Sequence, residues 1–490
     1  MKTREPYYTK AGKNTFLGIV LTGESLVLTA VIMPLIVVNF GTENWGRYSF
    51  FLLYVAVMAF LESTLQMYTL QRTATAISTM TAYHWVSDRH VLRVFVGLLI
   101  LGSLTVGFNR AYGLTHEADL NNILMLVFVN VFPRGVSSVI KGKMLGLNSQ
   151  GRYYAITTLL NVTRPLIILL AMLLLKPTIL WLIVVYVLFS FVEMAIYLML
   201  DASLRHPRQR PTEHYEVDNN LLLSLLLFNV LSVLSANLDK ILVFISVNLK
   251  LAGEYTLAST VAGLLYFFIN IASSAFAPKF KELYLHDHKR IMRSHIYRLT
   301  FINNFVVMFS IASFYFTGDY LLQSISTNLD RYSVMQTFLL LATANLLSSN
   351  LWIPGIVAVS MGKGSFPVKI HFLFVCIYLV IFYTIGSLAA QNSFAESMLL
   401  AAIVATTIGI VYFKFAIFQI SITRYVLMLV ALPMVIVGLL SAPLWGLEEN
   451  FKSLWVNLSY LLAIGLVAIG IWYRAGNLLR ARLGTALEML

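Results

Sequence analysis

The 490-residue sequence predicts an all-α polytopic membrane protein of about fourteen transmembrane helices, arranged as two pseudo-symmetric six-helix lobes plus two C-terminal helices. Three observations predict it. Hydrophobic residues make up 59% of the chain and charged residues 12%, with a mean hydropathy of +0.79, a balance that soluble domains of this length do not carry. The apolar residues gather into stretches close to the ~20 residues that cross a bilayer core as a helix. A weak repeat then relates the two halves: Asn39-Phe40 followed by Gly46-Arg47-Tyr48-Ser49 is echoed by Asn248-Leu249 followed by Gly253-Glu254-Tyr255-Thr256.

In chain order the predicted spans are 15–39, 48–69, 93–109, 120–140, 154–175, 178–200, 220–247, 255–278, 298–317, 334–360, 367–389, 394–419, 425–446 and 453–473. The segment before the first holds four cations between Met1 and Lys13. The apolar run behind it is too long for a signal-peptide core and lacks a small-residue cleavage site, so it reads as a retained helix. The two Gly-x-Tyr elements are separated by six spans, an even number that gives both copies one orientation, the parallel-repeat arrangement. A second echo pairs Leu145-Gly146 with Met361-Gly362. Residues 1–200 form the first lobe. Residues 201–219, with Arg205, Pro207, Arg208, Arg210 and Pro211 ahead of Glu213, Glu216 and Asp218, form a solvated linker. Residues 220–420 form the second lobe, and 421–490 hold the added helix pair and a tail. No loop is long enough for a separate domain, so any chemistry belongs within the bundle or at its mouths.

The net charge of +13 does not point to nucleic acid. With both termini cytoplasmic, 26 Lys and Arg fall in inside segments and six outside: Arg47, Arg110, Lys176, Lys250, Arg331 and Lys452. That is the positive-inside bias of an inner or plasma membrane protein, and the inner surplus meets anionic lipid heads. Cys376, the one cysteine, lies within a span, which excludes disulfides and cysteine-based metal sites.

Seven charged residues fall inside the apolar stretches: Glu24, Glu62, Arg134, Arg164, Glu193, Asp239 and Lys240. Each costs about 2.5–3.5 kcal/mol at a bilayer centre, roughly 20 kcal/mol for all seven facing lipid, so they are expected to face inward along a polar route. Asn130, Arg134, Ser137 and Lys141 follow i, i+4, i+7, i+11 spacing and form one stripe on span four. Thr157, Asn161 and Arg164 share a face of span five. Arginine suits phosphate because its charge is permanent and its planar fork donates two parallel hydrogen bonds. The structural alternative is that Glu24, Glu62 or Glu193 neutralises Arg134 and Arg164 as packing pairs. Span seven carries Asn229, Ser232, Ala236 and Asp239 on one side. Lys240 sits about 100° around the helix from Asp239, so the two are expected to find partners elsewhere, or to lie in interfacial water near the helix end. Glu24, with Thr22, Ser25 and Thr29 nearby, and Glu62, one turn from Gln66, are carboxylates able to take up H⁺ or Na⁺ or simply to be satisfied by neighbours.

Two motifs fail. Gly362-Lys363-Gly364-Ser365 lacks the upstream Gly of a phosphate loop and places Gly where Ser or Thr must follow Lys, so no nucleotide site is encoded. His286-Asp287-His288, beside Lys289, Arg290 and Arg293, reads as a solvated basic face rather than a metal site.

Gly41 with Gly46-Arg47-Tyr48, Asn237-Leu238-Asp239-Lys240, and Gly253-Glu254-Tyr255-x-x-Ala258 leading to Pro278 and Glu282 resemble the polysaccharide-transporter (Wzx-type) family, in the superfamily that also holds multidrug-and-toxin exporters and lipid II flippases. The resemblance covers both halves; spans thirteen and fourteen match in number only, and the Arg-rich first span of dedicated lipid II flippases is missing. It implies a non-enzymatic flippase that carries a polyprenyl-pyrophosphate-linked oligosaccharide, an O-antigen or related surface-polysaccharide unit of the lipopolysaccharide kind, from the inner to the outer leaflet by alternating access. On that footing Arg134, Arg164, Lys240, Lys141, Asn130 and Asn161 are the candidate substrate-binding residues, and Glu24, Glu62 and Asp239 the candidate ion-coupling residues. No catalytic or metal-binding residue and no cofactor is expected beyond H⁺ or Na⁺ coupling. The expected partners are the lipid-linked glycan, membrane lipids and glycan polymerase machinery, with a monomer as the working unit. Two other functions stay open: a cation-coupled drug exporter, for which an anionic pocket is expected, and an integral-membrane glycan polymerase or ligase. The polymerase or ligase usually needs a larger outside loop than the longest one here, 318–333.

Overall fold

The computed structural model describes residues 5–78, 118–147, 150–175, 178–203, 219–275, 283–325, 329–385, 391–426 and 433–438, with short pieces at 91–93, 95–96, 103 and 280. All described secondary structure is helical: α1 Glu5–Ser78, α2 Ala118–Gly146, α3 Gln150–Leu175, α4 Ile179–Ser203, α5 Asn219–Ser246, α6 Leu249–Ala275, α7 Lys289–Ile325, α8 Arg331–Ser349, α9 Trp352–Ser360, α10 Ser365–Ile385, α11 Gln391–Tyr412 and α12 Ile422–Val426. Among the described residues nine spans are long and apolar enough to cross a membrane, which makes this an integral membrane protein. Predicted spans 93–109, 425–446 and 453–473, and most of the linker, lie largely outside the described residues.

The sequence places a loop between the first two spans, yet α1 runs through both. Its two arms meet at Gly41, whose φ of 83° and ψ of 168° lie where only glycine is unstrained. The second arm packs against α2, α5 and α6. Against α2 the approach is close because Gly142 and Gly146, four apart, present no side chain: a Cβ on Gly146 would sit 2.6 Å from Thr73 Cβ, and one on Gly142 would collide with the Gln66 carbonyl oxygen. Small residues at this spacing let membrane helices touch backbone to backbone.

The repeat glycines meet each other. A Cβ on Gly46 would run into the Leu249 carbonyl oxygen and lie 3.4 Å from Gly253 N. One on Gly253 would run into the Thr42 carbonyl oxygen and lie 3.2 Å from Gly46 N. Each glycine therefore abuts the carbonyl four residues before the other, so α1 and α6 cross reciprocally, about a local two-fold. The second echo is not equivalent. Gly146 serves close packing, whereas Gly362 has φ 78° and closes the end of α9, with Lys363 N donating to Ala358 O at 2.8 Å.

Predicted span 334–360 is two helices. Pro354 has no N–H for the carbonyl of Asn350, and the helix breaks there. The orphaned carbonyl accepts from the Tyr425 hydroxyl at 2.7 Å, while Asn350 Oδ1 accepts from Asn304 Nδ2 at 2.7 Å. The segment after α11, a π-helical turn Phe413–Ile417 and then α12, thus holds the break from outside; Lys363 Nζ donates to Ala416 O at 2.8 Å.

Candidate functional site

Four helices of the first half bring six polar side chains into one ladder. At one end Arg134 Nε on α2 pairs with Glu62 Oε1 on α1 at 2.7 Å. Arg134 Nη1 also donates to the Tyr186 hydroxyl of α4 at 3.4 Å, and Arg164 Nη1 of α3 donates to the same oxygen at 3.2 Å. The guanidinium of Arg164 stacks over the Tyr186 and Phe189 rings, 4.7 and 5.3 Å from their centroids, and its Nη2 bonds Glu193 Oε2. Glu193 Oε1 accepts from Lys141 Nζ at 2.7 Å, and that ammonium lies 5.1 Å from the centroid of the Tyr197 ring. Below it Lys143 pairs with Asp201 at 2.5 Å.

The helices place these groups by simple periodicity. Arg134 and Lys141 are two turns apart on α2, and Tyr186, Glu193 and Tyr197 follow i, i+7, i+11 on α4, a stripe in register with that of α2. Both arginines flank a helix-interior proline, Pro133 on α2 and Pro165 on α3. The ladder holds three cations against two carboxylates, one positive charge in excess. The three cations keep 15–20% of their side-chain surface exposed and Glu62 keeps 17%, while Glu193 keeps 7%, so Glu193 is the most buried member of the ladder. Arg164 Nε and Asn130 Oδ1 are buried without a hydrogen-bond partner among the described residues, an unspent donor and acceptor at the site.

The pairing that the structural alternative requires is therefore present, Glu62 with Arg134 and Glu193 with Arg164. Glu193, which is among neither the candidate substrate-binding nor the candidate ion-coupling residues, is the hub. The signal for it was the Tyr186–Glu193–Tyr197 spacing, which matches the stripe already visible on span four. Asn161 lies half-buried on α3, one turn from Arg164. Glu24 belongs to the first arm of α1, and its side chain lies outside the described residues. Lys240 is not part of the ladder. With Asp239 it lines a separate cavity of about 510 Å³ between α5, α6, α8, α9 and α10. There Asp239 accepts from the Tyr255 hydroxyl at 2.8 Å and Lys240 donates to Asn237 Oδ1 at 3.3 Å, so each finds a different partner, as the helix geometry requires. His371 and Ser235 meet at 2.7 Å on the same cavity wall. The His286-Asp287-His288 segment is an exposed turn with Asp287 at φ 55°, and among the described residues no group of three metal-ligating side chains occurs.

This architecture is the fold of the solved transporters of the MOP superfamily. A structure described as lipid II flippase MurJ in an inward closed conformation superposes with a TM-score of 0.70 at 11% identity, covering 94% of this chain and 99% of that one. An inward-facing multidrug resistance MATE transporter matches with a TM-score of 0.61 at 15% identity, covering 79% and 94%. A MOP superfamily transporter from Pyrococcus furiosus, described as having a binding pocket of reverse polarity, matches with a TM-score of 0.56 at 13% identity, covering 86% and 95%. No protein-family model matches the chain, and no curated protein matches it in sequence.

Proposed function

We infer that the protein is a flippase that moves a polyprenyl-pyrophosphate-linked oligosaccharide, an O-antigen or similar surface-polysaccharide unit, from the inner to the outer leaflet by alternating access. The ladder carries this inference. Its excess positive charge and the forks of Arg134 and Arg164, which meet at the Tyr186 hydroxyl, fit an anionic diphosphate, for which arginine gives bidentate, charge-assisted hydrogen bonds. The fold likeness to a lipid II flippase supports it independently. Carboxylates in the same ladder supply the coupling: Glu62 and Glu193 hold the cations when no phosphate is present and are released to bind H⁺ or Na⁺ when it arrives.

Proteoliposomes containing the source cells' lipid-linked oligosaccharides test it. Wild type should flip the lipid, Arg134→Lys should be impaired through loss of the fork, and Arg134→Ala more so; full activity of Arg134→Ala at normal protein level refutes the proposal. The competing function, export of small cations, draws on the shared fold of the MATE transporters and on Asp239, which is 2% exposed with Oδ1 lacking a hydrogen-bond partner, but Lys240 on the same cavity wall opposes it. Gradient-driven export of a cationic dye with no lipid flipping would establish it instead. The polymerase or ligase alternative finds no support in the fold.

A further inference from the structure

The cavity of the second half has a chemistry unlike that of the ladder. Its volume of about 510 Å³ lies within the ~300–1,000 Å³ usual for ligand sites. Its two charged groups cancel, and neither is paired with the other: among the described residues no carboxylate lies within ion-pair distance of Lys240. Asp239 is 2% exposed, and while Oδ2 accepts from Tyr255, Oδ1 has no donor. Lys240 has three N–H donors and shares one with Asn237 Oδ1. Around them stand the hydroxyl of Ser235, the ring of His371, the amide of Asn345 and the aromatic face of Trp352.

We propose that this cavity is a saccharide-binding site, which takes the hydroxyl-rich head of the lipid-linked glycan while the ladder holds its diphosphate. A buried carboxylate oxygen without a donor is costly, and a guest is expected to supply one. A metal or organic cation would satisfy Asp239 but would be repelled by Lys240 on the same wall, and an anion would meet the reverse conflict. A neutral polyol answers both, since each sugar hydroxyl donates and accepts, and its C–H faces pack on an aromatic ring. One hydrogen bond also ties the helix that carries Asp239 and Lys240 to the helix that carries Glu62. Asn229 of α5 donates to Thr64 Oγ1 at 3.0 Å; Thr64 is two residues beyond Glu62 of the ladder, and Asn229 follows Phe228, which lines the cavity. The proposal rests on the flippase function inferred above.

The test uses the full chain in nanodiscs, carrying Cys376→Ala and Ser348→Cys, which places one thiol on the cavity wall. Its alkylation rate is measured with three probes: the source cells' polyprenyl-diphosphate-linked oligosaccharides, bare polyprenyl diphosphate, and NaCl against choline chloride. The glycan-bearing lipid should protect the thiol and the other two should not. Asp239→Asn should weaken that protection at least ~10-fold, the loss expected for a hydrogen bond to a charged group, with Lys240→Gln as the second variant should the first fail to fold. Equal protection by bare polyprenyl diphosphate overturns the inference, as does protection by Na⁺ alone. So does an unprotected thiol while the glycan lipid is retained in an Arg164-dependent way; in that case the flippase function stands. If the protein retains no lipid-linked glycan at all, the flippase function falls and the saccharide site with it.

Discussion

Replacing Gly46 by alanine should open the outer end of the protein. With both termini cytoplasmic, as the Lys and Arg bias predicts, the crossing of α1 and α6 would lie at the outer face, and the prediction is that it holds that face closed. The new Cβ would overlap the Leu249 carbonyl oxygen by about 1 Å relative to ordinary contact, and a backbone oxygen in a helix has no rotamer by which to step aside. Overpacking of this kind costs about 1–3 kcal/mol. Alanine also gains ~1 kcal/mol of helix propensity, but that gain is common to both conformations and cancels between them. The closed form alone therefore loses, and the equilibrium should shift toward the outer-open form by about 5–150-fold. The assay is labelling of a cysteine at Ser49, which is buried beside the crossing, with a membrane-impermeant thiol reagent added outside in a Cys376→Ala background. Because the contact is reciprocal, Gly253→Ala should give a similar rise, and the double variant should add little: once one Cβ has pushed the helices apart, the second finds room. An unchanged labelling rate in Gly46→Ala would refute the reasoning, as would a double variant equal to the sum of the singles within ~0.5 kcal/mol.

Glu193→Gln should destabilise the first half by about 3–5 kcal/mol, because it strands the part-buried Lys141 and Arg164 at once. Adding Lys141→Met should recover part of the loss in chemical unfolding, a non-additivity that independent sites would lack. Gly142→Val places a branched side chain against the Gln66 backbone and should abolish stable folding or cost several kcal/mol, read as loss of monodisperse protein, whereas the exposed Leu159→Val should be silent. Tyr425→Phe leaves the buried Asn350 carbonyl without a donor and should lower stability by about 1–3 kcal/mol, measured by thermal unfolding, with no change in lipid binding at the ladder.

The spans and the polar stripes were legible in the sequence because both depend on local periodicity. Arg134, Lys141 and Arg164 could be placed on inward faces from spacing alone. Their partners could not, since which carboxylate reaches which cation is set by the packing of α1, α2, α3 and α4, in which Gly142 and Gly146 set the close approach of α2 to α1. The Gly46 and Gly253 echo was visible as a repeat, but its physical cause, two backbones crossing at each other's carbonyls, requires contacts between segments about 200 residues apart. The same limit explains the joined first helix and the divided tenth span. Gly41 permits a bend without a loop, and the break at Pro354 survives only because a tyrosine more than 70 residues later satisfies the freed carbonyl. Lys240 was grouped with the arginines by charge, and the structure separates it by helix.

The ladder's pairing has a consequence for the proposed transport cycle. Three unpaired cations in a site this dry would each bear a desolvation penalty of several kcal/mol, enough to destabilise the empty protein. Carboxylates in Glu62 and Glu193 offset that penalty while no substrate is bound, yet they also compete with it. A diphosphate displaces them only if its own hydrogen bonds to the forks exceed those it breaks and the released carboxylates find a proton, a cation or water. Binding affinity is thereby traded for reversibility: a fully unpaired cluster would hold a diphosphate too tightly to release it, whereas an exchange of partners keeps loading and unloading nearly balanced. It follows that Glu62→Gln, which frees Arg134 from its competitor, should strengthen retention of polyprenyl diphosphate while slowing turnover. A variant that both binds more weakly and flips more slowly would place Glu62 in support of the fold rather than in exchange with the substrate.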